Sequence, residues 1–326
     1  MRHLPLPVLA AATLAAALTL STPAQAQEPG AEFPYEPRTV DVLDSTMAYV
    51  ETGQGDPIVL LHGNPTWSYL WRNVIPYLEP HGRVIAVDLI GFGRSGQPDI
   101  AYTYADHRAY MDAFIDAMAL EDITFVLHDW GSAIGLHYAA RNPDNVAAVA
   151  FMEALVPPAY PIPSLEAMGD FGPVFRDLRT DGVGEKMVHD DHIFIEQILP
   201  GAVMRDLPAE VMDNYRAPFA PEDRTRKPIL VFPRELPIAG EPADVVRELE
   251  TYFSWMRETD MPFLHVYARP GALNPPPVAE WLAANLKTIE TAFIGEGLHY
   301  IQEDQPEAIG RALADWLRRT RQGTGD

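Results

Sequence analysis

The chain contains no cysteine. Disulfides, thiolate catalysis and cysteine-based zinc sites are excluded with it. Positive charge is scarce as well: 24 Lys and Arg stand against 46 Asp and Glu, which leaves a formal net charge of -22 and a pI near 4.7. That balance disfavours nucleic acid and anionic membrane surfaces as partners. Charged residues of both signs make up only 21% and hydrophobic residues 47%, so the chain can build a large core and is not a disordered polymer. No internal repeat of fixed period is present, which removes solenoids and propellers. The length of 326 residues suits one large α/β domain with an insertion, or two domains at most.

The N-terminus reads as a leader rather than as part of the fold. Arg2 supplies a positive start, residues 8–20 are apolar and rich in Ala and Leu, and Ala24-Gln25-Ala26 fits a small-x-small cleavage site. Pro5 and Pro7 interrupt the run and leave it short for a membrane span. The expectation is a signal peptide over residues 1–26, a mature chain starting near Gln27 and a secreted or periplasmic protein. No stable membrane association is expected after cleavage.

Beyond the leader, strand-like and helical patterns alternate. Strands are expected over residues 46–51, 58–62, 83–89, 123–127, 146–153, 263–268 and 288–294. Helical patterns occupy 68–77, 106–118, 134–141, 278–286 and 306–320. This β-then-α order predicts a mostly parallel, doubly wound sheet with helices on both faces. Residues 156–236 break the order with many prolines, short helical patterns and little strand signal. They read as a helical cap inserted between a first core segment, 27–155, and a second, 237–326. A cap at that point of the chain would lie over the strands' C-terminal edge, where open α/β sheets bind ligands. Its Phe171, Phe175, Phe194 and Phe219 need something to cover.

The chemistry centres on Leu127-His128-Asp129-Trp130-Gly131-Ser132. A buried-looking strand arrives at Asp129 and a helix leaves from it, the context of a nucleophile elbow. Here the elbow presents a carboxylate, which can displace a leaving group from saturated carbon and hold that carbon as an ester. The elbow's first position is usually small and here is Leu127. Among ten histidines, His299 has the loop context and chain order of a general base arriving after the nucleophile. His62 reads as structural, and His128 should point away from the Asp129 face because strand neighbours alternate. A third group must orient the imidazole. The loop after the expected strand 263–268, residues 269–277, has no carboxylate, so Glu153 at the end of the preceding strand takes that role. Asn64 and Trp130 flank the nucleophile with N–H donors suited to a departing halide.

These pieces make the chain resemble a haloalkane dehalogenase of the α/β-hydrolase superfamily. The resemblance spans about residues 33–317. It rests on His62-Gly63-Asn64-Pro65-Thr66, Asp88-Leu89-Ile90-Gly91-Phe92-Gly93-Arg94-Ser95-Gly96, His128-Asp129-Trp130-Gly131-Ser132, Phe151-Met152-Glu153, Leu236-Pro237-Ile238-Ala239-Gly240-Glu241-Pro242 and Gly297-Leu298-His299. The subgroup with Asn-Trp halide binders and a Glu acid is most similar. The resemblance implies an α/β-hydrolase fold with a helical cap. It implies Asp129 as nucleophile, His299 as base, Glu153 as acid, and Asn64 with Trp130 for halide. Backbone N–H groups near Asn64 and Trp130 would form the oxyanion hole. No metal or organic cofactor is implied; the partners are a small apolar halogenated substrate, water and the halide ion.

Rival readings share the scaffold. An epoxide hydrolase uses the same Asp nucleophile and adds acidic donors, for which Tyr160, Tyr215 and Tyr252 are available. Fluoroacetate-type dehalogenases place an Arg where Trp130 stands. A cofactor-independent luciferase and a noncatalytic binding protein complete the set. Trp130, Phe171, Phe175, Leu236 and Leu273 are the expected pocket-lining residues.

Overall fold

The computed structural model describes residues 29–220 and 226–322. The expected leader lies outside the described residues. Among the described residues, no helix is long and apolar enough to cross a membrane.

Eight strands form one sheet: β1 Arg38–Val42, β2 Ser45–Thr52, β3 Pro57–Leu61, β4 Arg83–Val87, β5 Ile123–Asp129, β6 Val146–Ala154, β7 Phe263–Pro270 and β8 Ile289–Gly297. Their order is β1-β2-β4-β3-β5-β6-β7-β8. The β1-β2 and β2-β4 pairs are antiparallel, and every other pair is parallel. The central strands are buried on both faces, as their near-continuous apolar runs require. Alternation sorts their side chains into two cores. Val59, Leu61, Phe125, Leu127, Val149 and Phe151 face one core. Ile58, Leu60, Val126, Ala148, Ala150 and Met152 face the other, with Trp316 and Leu313 of the final helix, Pro306–Gln322.

Two departures from expectation lie in the first part of the chain. Strand β1 carries no apolar signature, because its Arg38-Thr39-Val40-Asp41-Val42 lies at the sheet edge and is mostly exposed. The helix expected over 68–77 is instead a 3-10 turn, Ser68–Trp71, followed by a single helical turn, Ile75–Leu78. Pro76 has no N–H to bond the carbonyl of residue 72, so one continuous helix cannot form there.

Residues 156–236 hold short helices, among them Phe171–Leu178, Ala209–Arg216 and Lys227–Glu235, and contribute no strand to the sheet among the described residues. Phe194 and Phe219 are buried there, whereas Phe171 is 53% exposed. This stretch is stitched to the sheet's C-terminal edge by polar contacts. The carbonyl of Ala202 accepts the backbone N–H groups of His299 (3.0 Å) and Tyr300 (3.2 Å). Arg205 and Tyr215 both donate to the buried Glu303, which also takes a bidentate bond from the buried Arg72 (2.5 and 2.9 Å).

Candidate active site

β5 ends at Asp129, whose φ of 49° and ψ of -130° turn the chain sharply into the helix Trp130–Arg141. Close packing makes the turn possible. A Cβ on Gly131 would stand 2.5 Å from the His62 carbonyl oxygen, and one on Gly63 would stand 2.0 Å from Asp129 Oδ1. The bulky Leu127 at the elbow's first position is accommodated by Gly135, where a Cβ would meet the Leu127 side chain at 2.5 Å.

The two oxygens of Asp129 are not equivalent. Oδ1 accepts the Asn64 backbone N–H at 2.7 Å, and the Trp130 backbone N–H also stabilises the carboxylate charge. Oδ2 stands 3.6 Å from His299 Nε2. Burial raises the Asp129 pKa above the ordinary aspartate value, against the opposing influence of His299 and the two N–H donors.

His299 follows β8, and its Nδ1 lies 3.3 Å from Glu153 Oε2. Burial works against its protonation, but the Glu153 hydrogen bond and the charges of Asp129 and Glu153 outweigh it, so the pKa lies above the ordinary histidine value. With Nδ1–H directed at Glu153, the Nε2 lone pair is turned toward Asp129.

Glu153 is 1% exposed at the end of β6. The loop that lacks a carboxylate holds it: the backbone N–H groups of Leu273 (2.7 Å), Ala272 (3.1 Å) and Asn274 (3.3 Å) all donate to its oxygens. Successive N–H groups converging in this way form an anion-binding nest. The Asn274 side chain pins the loop by bonding Ala154 through both its N–H (2.6 Å) and its carbonyl (3.0 Å).

Asn64 is 6% exposed; its Nδ2 donates one hydrogen to the Ile229 carbonyl at 3.2 Å, which leaves the second. The Trp130 ring stacks on Phe232 with centroids 4.8 Å apart. A cavity of about 490 Å³ opens above Asp129. Trp130, Phe171, Phe175, Leu236 and Leu273 all line it, as do Asn64 and His299. The structure therefore brings together Asp129, His299, Glu153, Asn64 and Trp130.

His62 is set apart from the cavity: its Nε2 accepts the Leu89 N–H at 2.9 Å. His128 does face away from Asp129, yet its ring packs 4.8 Å from that of His299 and its Nε2–H donates to the His299 carbonyl at 2.9 Å. Three contributors were missed in the sequence. Phe232 and the Ile229 carbonyl come from the proline-containing helix Lys227–Glu235, and the Tyr300 hydroxyl donates to the Asn64 carbonyl at 3.0 Å. Tyr300 adjoins His299 in the sequence, a signal that was available. Of the tyrosines available to epoxide chemistry, Tyr215 is bonded to Glu303 and Tyr252 to the Leu155 carbonyl, both off the cavity wall.

A mostly parallel sheet with an aspartate at the strand–helix elbow, and His and Glu at the same rim, defines an α/β hydrolase. The family model for the alpha/beta hydrolase fold matches residues 56–195. A haloalkane dehalogenase of Mesorhizobium japonicum is 46% identical over 305 residues, covering 91% of this chain and 96% of the relative. Another, from Sphingobium indicum, is 41% identical and covers 88% and 96%. The crystal structure of the haloalkane dehalogenase DbeA from Bradyrhizobium elkani superposes with a TM-score of 0.84 at 43% identity, covering 88% of this chain and 99% of that one. The chain belongs to the haloalkane dehalogenases, hydrolases that act on carbon–halogen bonds.

Proposed function

We propose that Asp129 Oδ2 attacks the halogen-bearing carbon in line and forms a covalent alkyl ester. The observation that carries this assignment is the asymmetry of the carboxylate: Oδ1 is held by a backbone N–H at 2.7 Å, and Oδ2 faces the cavity and the base. The leaving halide is received by the Trp130 indole N–H and the uncommitted hydrogen of Asn64 Nδ2. In a largely apolar cavity such bonds to developing charge are stronger than in water.

His299 Nε2 then takes a proton from water as the water oxygen bonds to the ester carbon. The negative charge passes to Oδ1, where the Asn64 and Trp130 backbone N–H groups stabilise it. Collapse expels the alcohol with the original Asp129 oxygen and restores a carboxylate that carries the water oxygen. Halide, alcohol and one proton leave. Glu153 holds the imidazole in the Nδ1–H tautomer and balances its transient positive charge. The apolar run of residues 8–20, within the expected leader of residues 1–26, supports work outside the cytoplasm, in the periplasm or beyond the cell.

The test is turnover of 1-bromobutane across pH, with styrene oxide as control. Bromide and acid should appear in equal amounts, with no diol from the epoxide; diol without bromide would sink the reading. The pH profile carries a further expectation. His299 must be neutral to act, so ester hydrolysis slows as pH falls through its pKa. In the free enzyme the Asp129 charge helps hold that pKa high. Alkylation removes this charge, so the acid limb of ester hydrolysis should lie below the His299 pKa titrated by NMR in the free enzyme. A limb at or above that value contradicts the assignment.

A further inference from the structure

The polar side chains on the cavity wall are Asn64, Asp129, Trp130, Tyr160, His299 and Tyr300. Five of them have a use in the reaction or a partner in the protein. Asp129, His299, Asn64 and Trp130 are assigned above, and the Tyr300 hydroxyl donates to the Asn64 carbonyl. Tyr160 is left over. It is 5% exposed, and its hydroxyl has no hydrogen-bond partner among the described residues. Nor is that hydroxyl fully covered, and Tyr160 lines the cavity. The rest of the wall around it is apolar, with Ala159, Ile162 and Pro163 as its chain neighbours.

A phenol in that setting is a donor. Burial, with the charges of Asp129 and Glu153, pushes its pKa far above the ordinary tyrosine value, so it stays protonated at every working pH. An O–H that faces an apolar substrate loses water and gains nothing in return. An oxygen on the substrate removes that penalty. From the unpartnered Tyr160 hydroxyl on the wall of the Asp129 cavity we infer that Tyr160 donates a hydrogen bond to an accepting oxygen of the substrate and so favours halogenated ethers over their hydrocarbon isosteres. This inference rests on the dehalogenation reading above. It adds a specificity-determining contact that the reaction itself does not need.

A matched set of substrates tests it: 1-bromopentane and its two ether isosteres, 1-bromo-2-ethoxyethane and 1-bromo-3-methoxypropane. Bromide release is followed for the full-length wild type and for Tyr160→Phe. The substitution removes one oxygen that bonds to no protein group, and an unchanged thermal midpoint verifies folding. For at least one ether, kcat/KM should fall about three- to tenfold, mainly through KM, while the value for 1-bromopentane rises. Comparing each substrate across the two proteins cancels its intrinsic reactivity. If a water merely solvates the hydroxyl, all three substrates shift by the same factor, and the inference is overturned while the dehalogenation reading stands. If the wild type releases no bromide from any of the three, both are overturned.

Discussion

His299→Gln releases about one bromide per enzyme from 1-bromobutane and then stalls, with a butyl group on Asp129 visible as added protein mass. The base acts only in the second step, so alkylation survives its loss while ester hydrolysis slows by about 10²–10⁴-fold. Asp129→Ala, by comparison, should release no bromide. The imidazole cannot be replaced by another group already at the site. Nε2 is the nitrogen facing the carboxylate, at 3.6 Å, and the neighbouring His128 ring commits its own Nε2–H to the His299 carbonyl. Rapid-quench bromide measurement with intact-protein mass spectrometry reads both halves of the expectation. Steady turnover by His299→Gln without accumulated ester would remove His299 from the role of base.

Arg72→Met should destabilise the fold by about 3–5 kcal/mol, the usual cost of removing one partner from a buried pair. The Arg72 and Glu303 side chains are 1% and 0% exposed, and their bond is bidentate. Burial alone would raise the Glu303 pKa, but Arg72, with Tyr215 and Arg205, holds it below the ordinary glutamate value. The substitution leaves that carboxylate buried with Arg205 as its remaining cationic partner. A denaturant titration should show a lowered midpoint. The loss also has a pH signature: because the folded-state pKa is depressed, this contribution is present above the unfolded value and vanishes as pH falls through the folded one. Arg72→Met should therefore cost less stability at acid pH than at neutral pH. Equal loss at both would contradict the charged-pair account.

Much of this was legible in the sequence for a physical reason. A parallel strand buried on both faces must be nearly continuous in apolar residues, so residues 123–127 and 146–153 announce β5 and β6. Asp129 and His299 are readable because strand, turn and helix follow one another in short order around them. Glu153 was reached through an absence, a loop without a carboxylate. What the loop supplies instead, three backbone N–H groups on the Glu153 oxygens, has no letter in the sequence. The Asn64–Ile229 bond joins residues 165 positions apart, and the Arg72–Glu303 pair joins residues 231 apart. Such contacts depend on how the chain closes and leave no local pattern. The helix Ala243–Glu258 is a different case. Its buried Val245, Leu249, Tyr252, Phe253 and Met256 recur at helical spacing, so its signal was present and passed over.

The central claim is that an Asp129 oxygen becomes bonded to substrate carbon, and one single-turnover experiment addresses it most directly. Excess enzyme is reacted with 1-bromobutane in ¹⁸O-water, digested, and the peptide containing Asp129 is analysed by mass spectrometry. The account predicts heavy oxygen in the Asp129 carboxylate and ordinary oxygen in the butanol. Heavy oxygen in the butanol with an unlabelled Asp129 would mean that water attacks the substrate carbon itself, and the covalent route would be wrong.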